Sequence, residues 1–164
     1  MKLFLASSLD KTLPLLAERV EKPVQDRKVL FVANASDPIE NPWWVDLDRD
    51  AFKNAGYQVI ETDLRSTPKE ELIKQIDEAD ILHVCGGAVL YPLYLLRKND
   101  LYKTIQQVVK EEKIIYTATS AGSIIAAPSV ELYSHDHEEI EVAEGLQDFT
   151  GFGFVPFLIK PHIN

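Results

Sequence analysis

Hydrophobic positions along this chain fall into two alternating patterns. Short continuous apolar runs lie at residues 2–6, 28–33, 57–61, 80–85 and 114–117. Each is too short for a helix and rich in Val, Ile, Leu or Phe, so each predicts a buried β-strand. Between them the apolar residues are spaced for helices. Leu13, Leu16, Ala17 and Val20 predict a first helix, with Ser7, Ser8 and Asp10 as capping residues before it. A second helix is predicted from Pro42 or Trp43 to Asn54, closed by Gly56 just past its end. Thr67, Pro68 and the carboxylates of Glu70 and Glu71 mark the start of a third, running to about Ala79. A long helical stretch covers residues 89–112 and should break near Asn99 and Asp100.

Apolar strands separated by helices predict an α/β fold with a mostly parallel sheet covered on both faces. In such sheets the ligand site lies beyond the carboxyl ends of the strands. Gly86-Gly87 and Ser120 both follow predicted strands directly. Beyond Pro128 the pattern weakens. Residues 134–144 are polar and acidic and read as an exposed loop. A final apolar run, residues 154–159, reads as a strand that delivers Pro161 and His162 to the same rim.

Composition narrows the function. The 164 residues suit one domain, 1–164, able to bury a single substantial core. The formal net charge is -9, and no basic block is present, so neither nucleic acid nor an anionic membrane is the expected partner. One cysteine, Cys85, excludes an intrachain disulfide framework and fits a reducing, cytoplasmic compartment. The opening apolar run is too short for a signal peptide or a membrane span.

The candidate chemistry centres on Ser120. An apolar strand, a small-residue turn and the apolar segment Ser123-Ile124-Ile125-Ala126 place it on a strand-to-helix corner. Such a corner pushes the hydroxyl clear of the backbone and turns the next N–H toward the same space, which acyl transfer requires. Of four histidines, His83 lies inside a buried strand and reads as a core residue. His135 and His137 flank Asp136 in the polar loop. His162, at a strand's carboxyl end, is the favoured general base. Asp136, between nucleophile and base, is the candidate that orients the imidazole, with Glu131, Glu138 and Glu139 as competitors. The N–H groups of Gly87 and Ala121 are the expected oxyanion donors.

These residues carry a resemblance. Residues 1–5, the Ala33-Asn34-Ala35-Ser36 loop, Trp43 with Val45-Asp46, and Gly86-Gly87 are similar to the peptidase family of dipeptidase E (aspartyl dipeptidase) and cyanophycinase. So are residues 119–126, Pro128-Ser129-Val130-Glu131 and Pro161-His162, all in the family's order. The resemblance implies a three-layer α/β/α sandwich of the class I glutamine-amidotransferase-like, flavodoxin-like type. It implies a serine-type peptidase that cuts short peptides without a cofactor. By position Ser120 matches the nucleophile, His162 the base, and Gly87 and Ala121 the oxyanion donors, while Asp136 falls near the acidic member.

Three departures accompany the match. Gly86-Gly87 is followed by Ala88-Val89-Leu90 where the family usually has Asn-Thr-Phe, so an amide that would line the pocket is replaced. Ala118 stands where the family usually has glycine, which puts a methyl group at the elbow. The family continues past its Pro-His, whereas this sequence ends at Asn164 and so reads as C-terminally shortened. That gives a second expectation: a weak or inactive homologue acting as a binding or oligomer protein, with an unfinished sheet edge favouring a homodimer.

Other features read more plainly. Residues 135–139 alternate His and carboxylate without a distant further ligand, so no metal site is expected there. Trp43-Trp44 reads as a helix anchor or a pocket mouth, and Cys85 as a buried, inert thiol. Arg97 and Lys160 are the cations expected nearest the rim.

Overall fold

The computed structural model describes residues 1–17 and 24–162. Five strands form one sheet: β1 (Leu3–Ala6), β2 (Lys28–Val32), β3 (Gln58–Thr62), β4 (Ile81–Val84) and β5 (Ile115–Thr119). Their order is β1-β5-β4-β2-β3, and every pairing is parallel. The five strands expected before Ser120 are therefore all present.

Alternation along the strands assigns the two faces. On one face, Leu30, Val32, Leu82, Val84, Tyr116 and Ala118 share a core with helices α3 (Lys69–Glu78), α4 (Leu90–Lys98) and α5 (Tyr102–Lys110). On the other, Val29, Phe31, Ile81 and Cys85 pack with Leu13 and Leu16 of α1 (Leu13–Ala17) and with Val45 and Phe52 of α2 (Trp43–Asn54). The result is a three-layer α/β/α sandwich. β4, at the middle of the sheet, is buried throughout, whereas the edge strand β3 exposes Gln58 and Glu61.

Helix limits follow local chemistry. The break between α4 and α5 falls at Asn99-Asp100-Leu101, and Asp100 takes a left-handed φ of 58°. Ile105 and Val109 form the buried stripe of α5 at a spacing of one turn, and Leu101, just before the helix, extends it. In α2 the equivalent stripe is Val45, Asp48 and Phe52, so a carboxylate occupies a core position. The first helix begins at Leu13, and Val20, expected within it, lies outside the described residues.

The segment after Pro128 departs from expectation twice. Inside the polar loop a short helix forms, α7 (His137–Val142), because Asp136 caps it by accepting the N–H groups of Glu138 and Glu139. The apolar run 154–159 is not a strand. Among the described residues no strand pairs with it, Pro156 lacks a donor, and Phe157 and Leu158 face solvent. The backbone is anchored just upstream instead. The Phe152 N–H donates to Ile125 O at 2.7 Å, and the Phe154 N–H to Ala126 O at 2.8 Å. Phe152 stacks on Phe154 at 4.8 Å between centroids, and Phe154 meets Tyr116 edge-on at 5.2 Å. This anchor fixes the point from which the chain reaches His162.

Candidate active site

β2 and β4 are neighbours, and the chain leaves β2 outward to β3 but leaves β4 the other way to β5, so the two connections diverge and open a crevice at the carboxyl ends. Three loops meet there: the Asn34–Ser36 turn after β2, Gly86-Gly87 after β4, and Ser120 after β5. A cavity of about 480 Å³ is lined by Gly86, Gly87, Thr119, Ser120 and His162, with Ile39, Trp43, Trp44 and Leu47 as an apolar wall.

Ser120 joins β5 to α6 (Ala121–Ile124) with φ 45° and ψ -110°. That is a region glycine favours, so the serine holds a strained corner. The corner is tied down on three sides. The Ser120 N–H donates to Ala6 O at 3.0 Å, and Ser120 O accepts the N–H groups of Ser123 and Ile124 at 2.9 and 3.0 Å. Ser123 Oγ accepts the Ala6 N–H at 3.2 Å and lies 2.9 Å from Ala6 O, joining the elbow to β1. A Cβ on Gly122 would sit 2.1 Å from Val84 O, so α6 packs directly on the β4 backbone only with glycine there. Ala118 is fully buried in β5, and the elbow forms with its methyl group in place.

His162 Nε2 lies 2.9 Å from Ser120 Oγ. With the ring proton on Nδ1, Nε2 accepts the serine hydroxyl proton. His162 is exposed and has a left-handed φ of 58°. Gly87 has φ 144°, and a Cβ there would fall 2.1 Å from Ala35 O. The Ala88 N–H donates to that same carbonyl at 2.7 Å, so the glycine lets two backbones close on each other. Ala121 is the first residue of α6, where helix N–H groups lack intrahelical acceptors.

Asp136 is not brought to this pair. Its carboxylate caps α7, and no hydrogen bond joins it to His162. Of its competitors, Glu139 is engaged elsewhere: it accepts the Val89 and Leu90 N–H groups at 2.7 and 2.8 Å. Burial pushes the Glu139 carboxyl above its ordinary value against those two bonds. Arg97 lies away from the cavity, donating to Thr150 O and sitting over the Tyr102 ring. His83 is fully buried, as expected of a core histidine, between Thr117 Oγ1 at 3.0 Å and Asp48 Oδ2 at 3.4 Å.

Beneath the elbow lies a group that sequence reasoning missed. Asp48 is only 3% exposed and lines the cavity. Its Oδ2 accepts the Thr119 hydroxyl at 2.6 Å, and Thr119 Oγ1 in turn accepts the Gly86 N–H at 3.1 Å. The available signal was an aspartate at a stripe position of an amphipathic helix. Asp48, His83 and Cys85 each present a ligand-type atom within 4.8 Å of one another, the one such trio among the described residues. Burial, first, and the nearby Asp48 charge push the Cys85 thiol well up, which disfavours the thiolate a metal would take. Thr119 and His83 already occupy the Asp48 carboxylate, so the trio fits a hydrogen-bonded support better than a metal cage.

An all-parallel α/β/α sandwich carrying a serine on a strand-to-helix elbow, with a histidine at hydrogen-bond distance, is the architecture of elbow-type hydrolytic folds. The chain belongs to peptidase family S51, the family of dipeptidase E and cyanophycinase, whose model matches residues 3–164. The uncharacterized peptidase PM1590 of Pasteurella multocida (strain Pm70) is 30% identical over 161 residues, covering 98% of this chain and 76% of its own. The uncharacterized peptidase Lmo0363 of Listeria monocytogenes is 28% identical over 162 residues, covering 99% and 78%. A crystal structure of a candidate peptidase E protein from Listeria monocytogenes EGD-e superposes with a TM-score of 0.86 at 27% identity, covering all of this chain and 80% of that one. A peptidase from an acI-B1 Actinobacterium shares the fold, with a TM-score of 0.58 at 20% identity, over 93% of this chain and 64% of its own. No helix among the described residues is long and apolar enough to cross a membrane.

Proposed function

We propose that this protein is a serine-type peptidase, dipeptidase E-like, acting on short peptides. The observation that carries the proposal is the 2.9 Å approach of His162 Nε2 to Ser120 Oγ at a strained elbow. Ser120 Oγ attacks the scissile carbonyl carbon while His162 takes its proton. The oxyanion is held by the Gly87 and Ala121 N–H groups. His162 then protonates the leaving amine as the C–N bond breaks, leaving an ester on Ser120. Water, deprotonated by His162, attacks that ester, and the proton returns to Ser120 as the acid product departs.

Asp136 accepts the Glu138 and Glu139 N–H groups on Oδ1 and makes no hydrogen bond to His162, so the Ser120–His162 pair is the part of the triad the geometry supports. The Asp136→Asn variant separates the two: an orienting role costs on the order of 10⁴ in kcat, a purely capping role leaves kcat unchanged.

The test is hydrolysis of a panel of short peptides, Asp-Xaa dipeptides included, by wild type, Ser120→Ala and His162→Ala. Wild type should release free amino acid, and Ser120→Ala should lose on the order of 10⁶ in kcat. Identical traces for wild type and Ser120→Ala would overturn the enzymatic reading and leave a binding or oligomer role for the fold.

A further inference from the structure

The Gly86-Gly87 loop is the part of the cavity wall with the greatest intrinsic freedom, because consecutive glycines accept many backbone conformations. In the structure both peptide units around Gly86 are gripped. The Gly86 N–H is held by Thr119 Oγ1, which can accept it because its own proton goes to Asp48. The Gly86 carbonyl receives two donors, Ser36 Oγ at 2.7 Å and Trp44 Nε1 at 3.1 Å. Trp44 Nε1 also lies 3.0 Å from Ser36 Oγ, so the two donors form one cluster. They come from different elements: Ser36 from the turn after β2, and Trp44 from the first turn of α2.

A carbonyl oxygen has two lone pairs, and two donors leave its plane no free rotation. The Gly86–Gly87 peptide is trans, since the described chain contains no cis bonds. In a planar trans peptide the N–H points opposite to the C=O. Whatever fixes the Gly86 carbonyl therefore fixes the direction of the Gly87 N–H. Ser36 is buried at 4% exposure and does not line the cavity, so its hydroxyl has no route to a substrate.

We propose that Ser36 and Trp44 are positioning residues for the oxyanion site: by clamping the Gly86 carbonyl they aim the Gly87 N–H at the oxyanion formed on Ser120. This rests on the hydrolase reading above. Neither residue is catalytic; each acts through one peptide plane. The clamp lies on the side of that plane away from the N–H, so it holds the donor without competing for it.

The experiment compares wild type with Ser36→Ala, Trp44→Phe and the double variant, all checked for cooperative urea unfolding. Peptide hydrolysis gives kcat and KM. Phosphorylation by diisopropyl fluorophosphate gives a second rate: Ser120 Oγ bonds to phosphorus, fluoride leaves, His162 takes the proton, and the phosphoryl oxygen needs the same donors. Losing an oxyanion donor outright costs about 10²–10³ in kcat, which sets the ceiling. Each single variant should lose up to about tenfold in kcat, because one donor remains, and the double variant should approach that ceiling. KM for Ser36→Ala should stay within about twofold, the signature of an interaction made only in the transition state. A folded double variant with kcat and phosphorylation rate within about twofold of wild type would overturn the clamp. So would a rise in KM with kcat unchanged in Ser36→Ala.

A readout that needs no turnover separates this proposal from the hydrolase reading. In the amide proton–nitrogen correlation spectrum the Gly87 peak should shift and broaden in the double variant while peaks from β1 and β3 stay in place. An unmoved Gly87 peak overturns the clamp even in an active enzyme. A wild type that neither turns over nor labels, with a Gly87 peak that does move, overturns the hydrolase reading and with it the oxyanion purpose of the clamp.

Discussion

Thr119 donates its hydroxyl proton to Asp48 at 2.6 Å, one residue before the strained Ser120. Asp48 belongs to a helix and Thr119 to the central sheet, so this bond ties the helical layer to the floor of the cavity. The same carboxylate holds buried His83, and the same hydroxyl holds the Gly86 N–H.

Replacing Thr119 with valine keeps the shape but leaves Asp48 short of a donor and Gly86 short of an acceptor. The expected cost is about 1–3 kcal/mol, because buried polar groups are left unpaired. Thr119→Ser keeps the hydroxyl and should recover most of that loss. Urea midpoints check this, and a Thr119→Val chain as stable as wild type would show that the bond carries no stability. Coupling between Thr119→Val and Asp48→Ala in a double-mutant cycle should be about 0.5–3 kcal/mol, as expected of residues in one network.

Ser120→Gly should raise stability while abolishing hydrolysis. The serine sits at φ 45° and ψ -110°, where a side chain costs about 1–3 kcal/mol and glycine costs little. Glycine also enlarges the unfolded ensemble, an opposing effect of about 0.5–1 kcal/mol. The net gain should be about 1 kcal/mol, or roughly 2–4 °C in Tm for a chain of this length. A lower Tm for Ser120→Gly than for wild type would contradict the strain at the elbow.

Acid should weaken the fold partly through Asp63. Arg65 first, then Asn34 and Ser66, bond its carboxylate and hold it well below its ordinary value of 3.8. Native Asp63 therefore binds its proton less readily than the unfolded chain does. Its contribution is present above the ordinary carboxylate range and is lost as pH falls through the lowered native value. Asp63→Asn removes that dependence. Its urea midpoint should decline less steeply than that of wild type between about pH 4 and pH 2, and parallel curves would refute the assignment. Added salt should shrink the difference, since Asp63 and Arg65 are partly exposed.

The strands were legible because burial on both faces leaves short continuous apolar runs, as in Val29 to Val32 and Ile81 to Val84. The α4–α5 break was legible in Asn99-Asp100, which tolerate a left-handed backbone. The run at 154–159 misled, because apolar content makes a strand only where another strand offers hydrogen bonds. The acidic partner of His162 was not legible: the place of Asp136 between Ser120 and His162 in sequence says nothing of where its carboxylate points, and locally it is a helix cap. Asp48 was hidden, because an aspartate in a helix is ordinarily solvated, and only the packed layers show what it meets.

By itself the sequence determined the strands, most of the helices, the serine corner and the glycine pair, all properties of residues close in the chain. Local sterics and hydrophobic period act over a few residues, so they can be read in order. Tertiary structure alone decided that His162 Nε2 stands 2.9 Å from Ser120 Oγ across 42 residues. It also decided that Asp48 lies under Thr119 and that Ser36 and Trp44 grip the Gly86 carbonyl. Those contacts join residues whose separation in sequence carries no distance information, and they exist only because packing both faces of one sheet brings its carboxyl ends together.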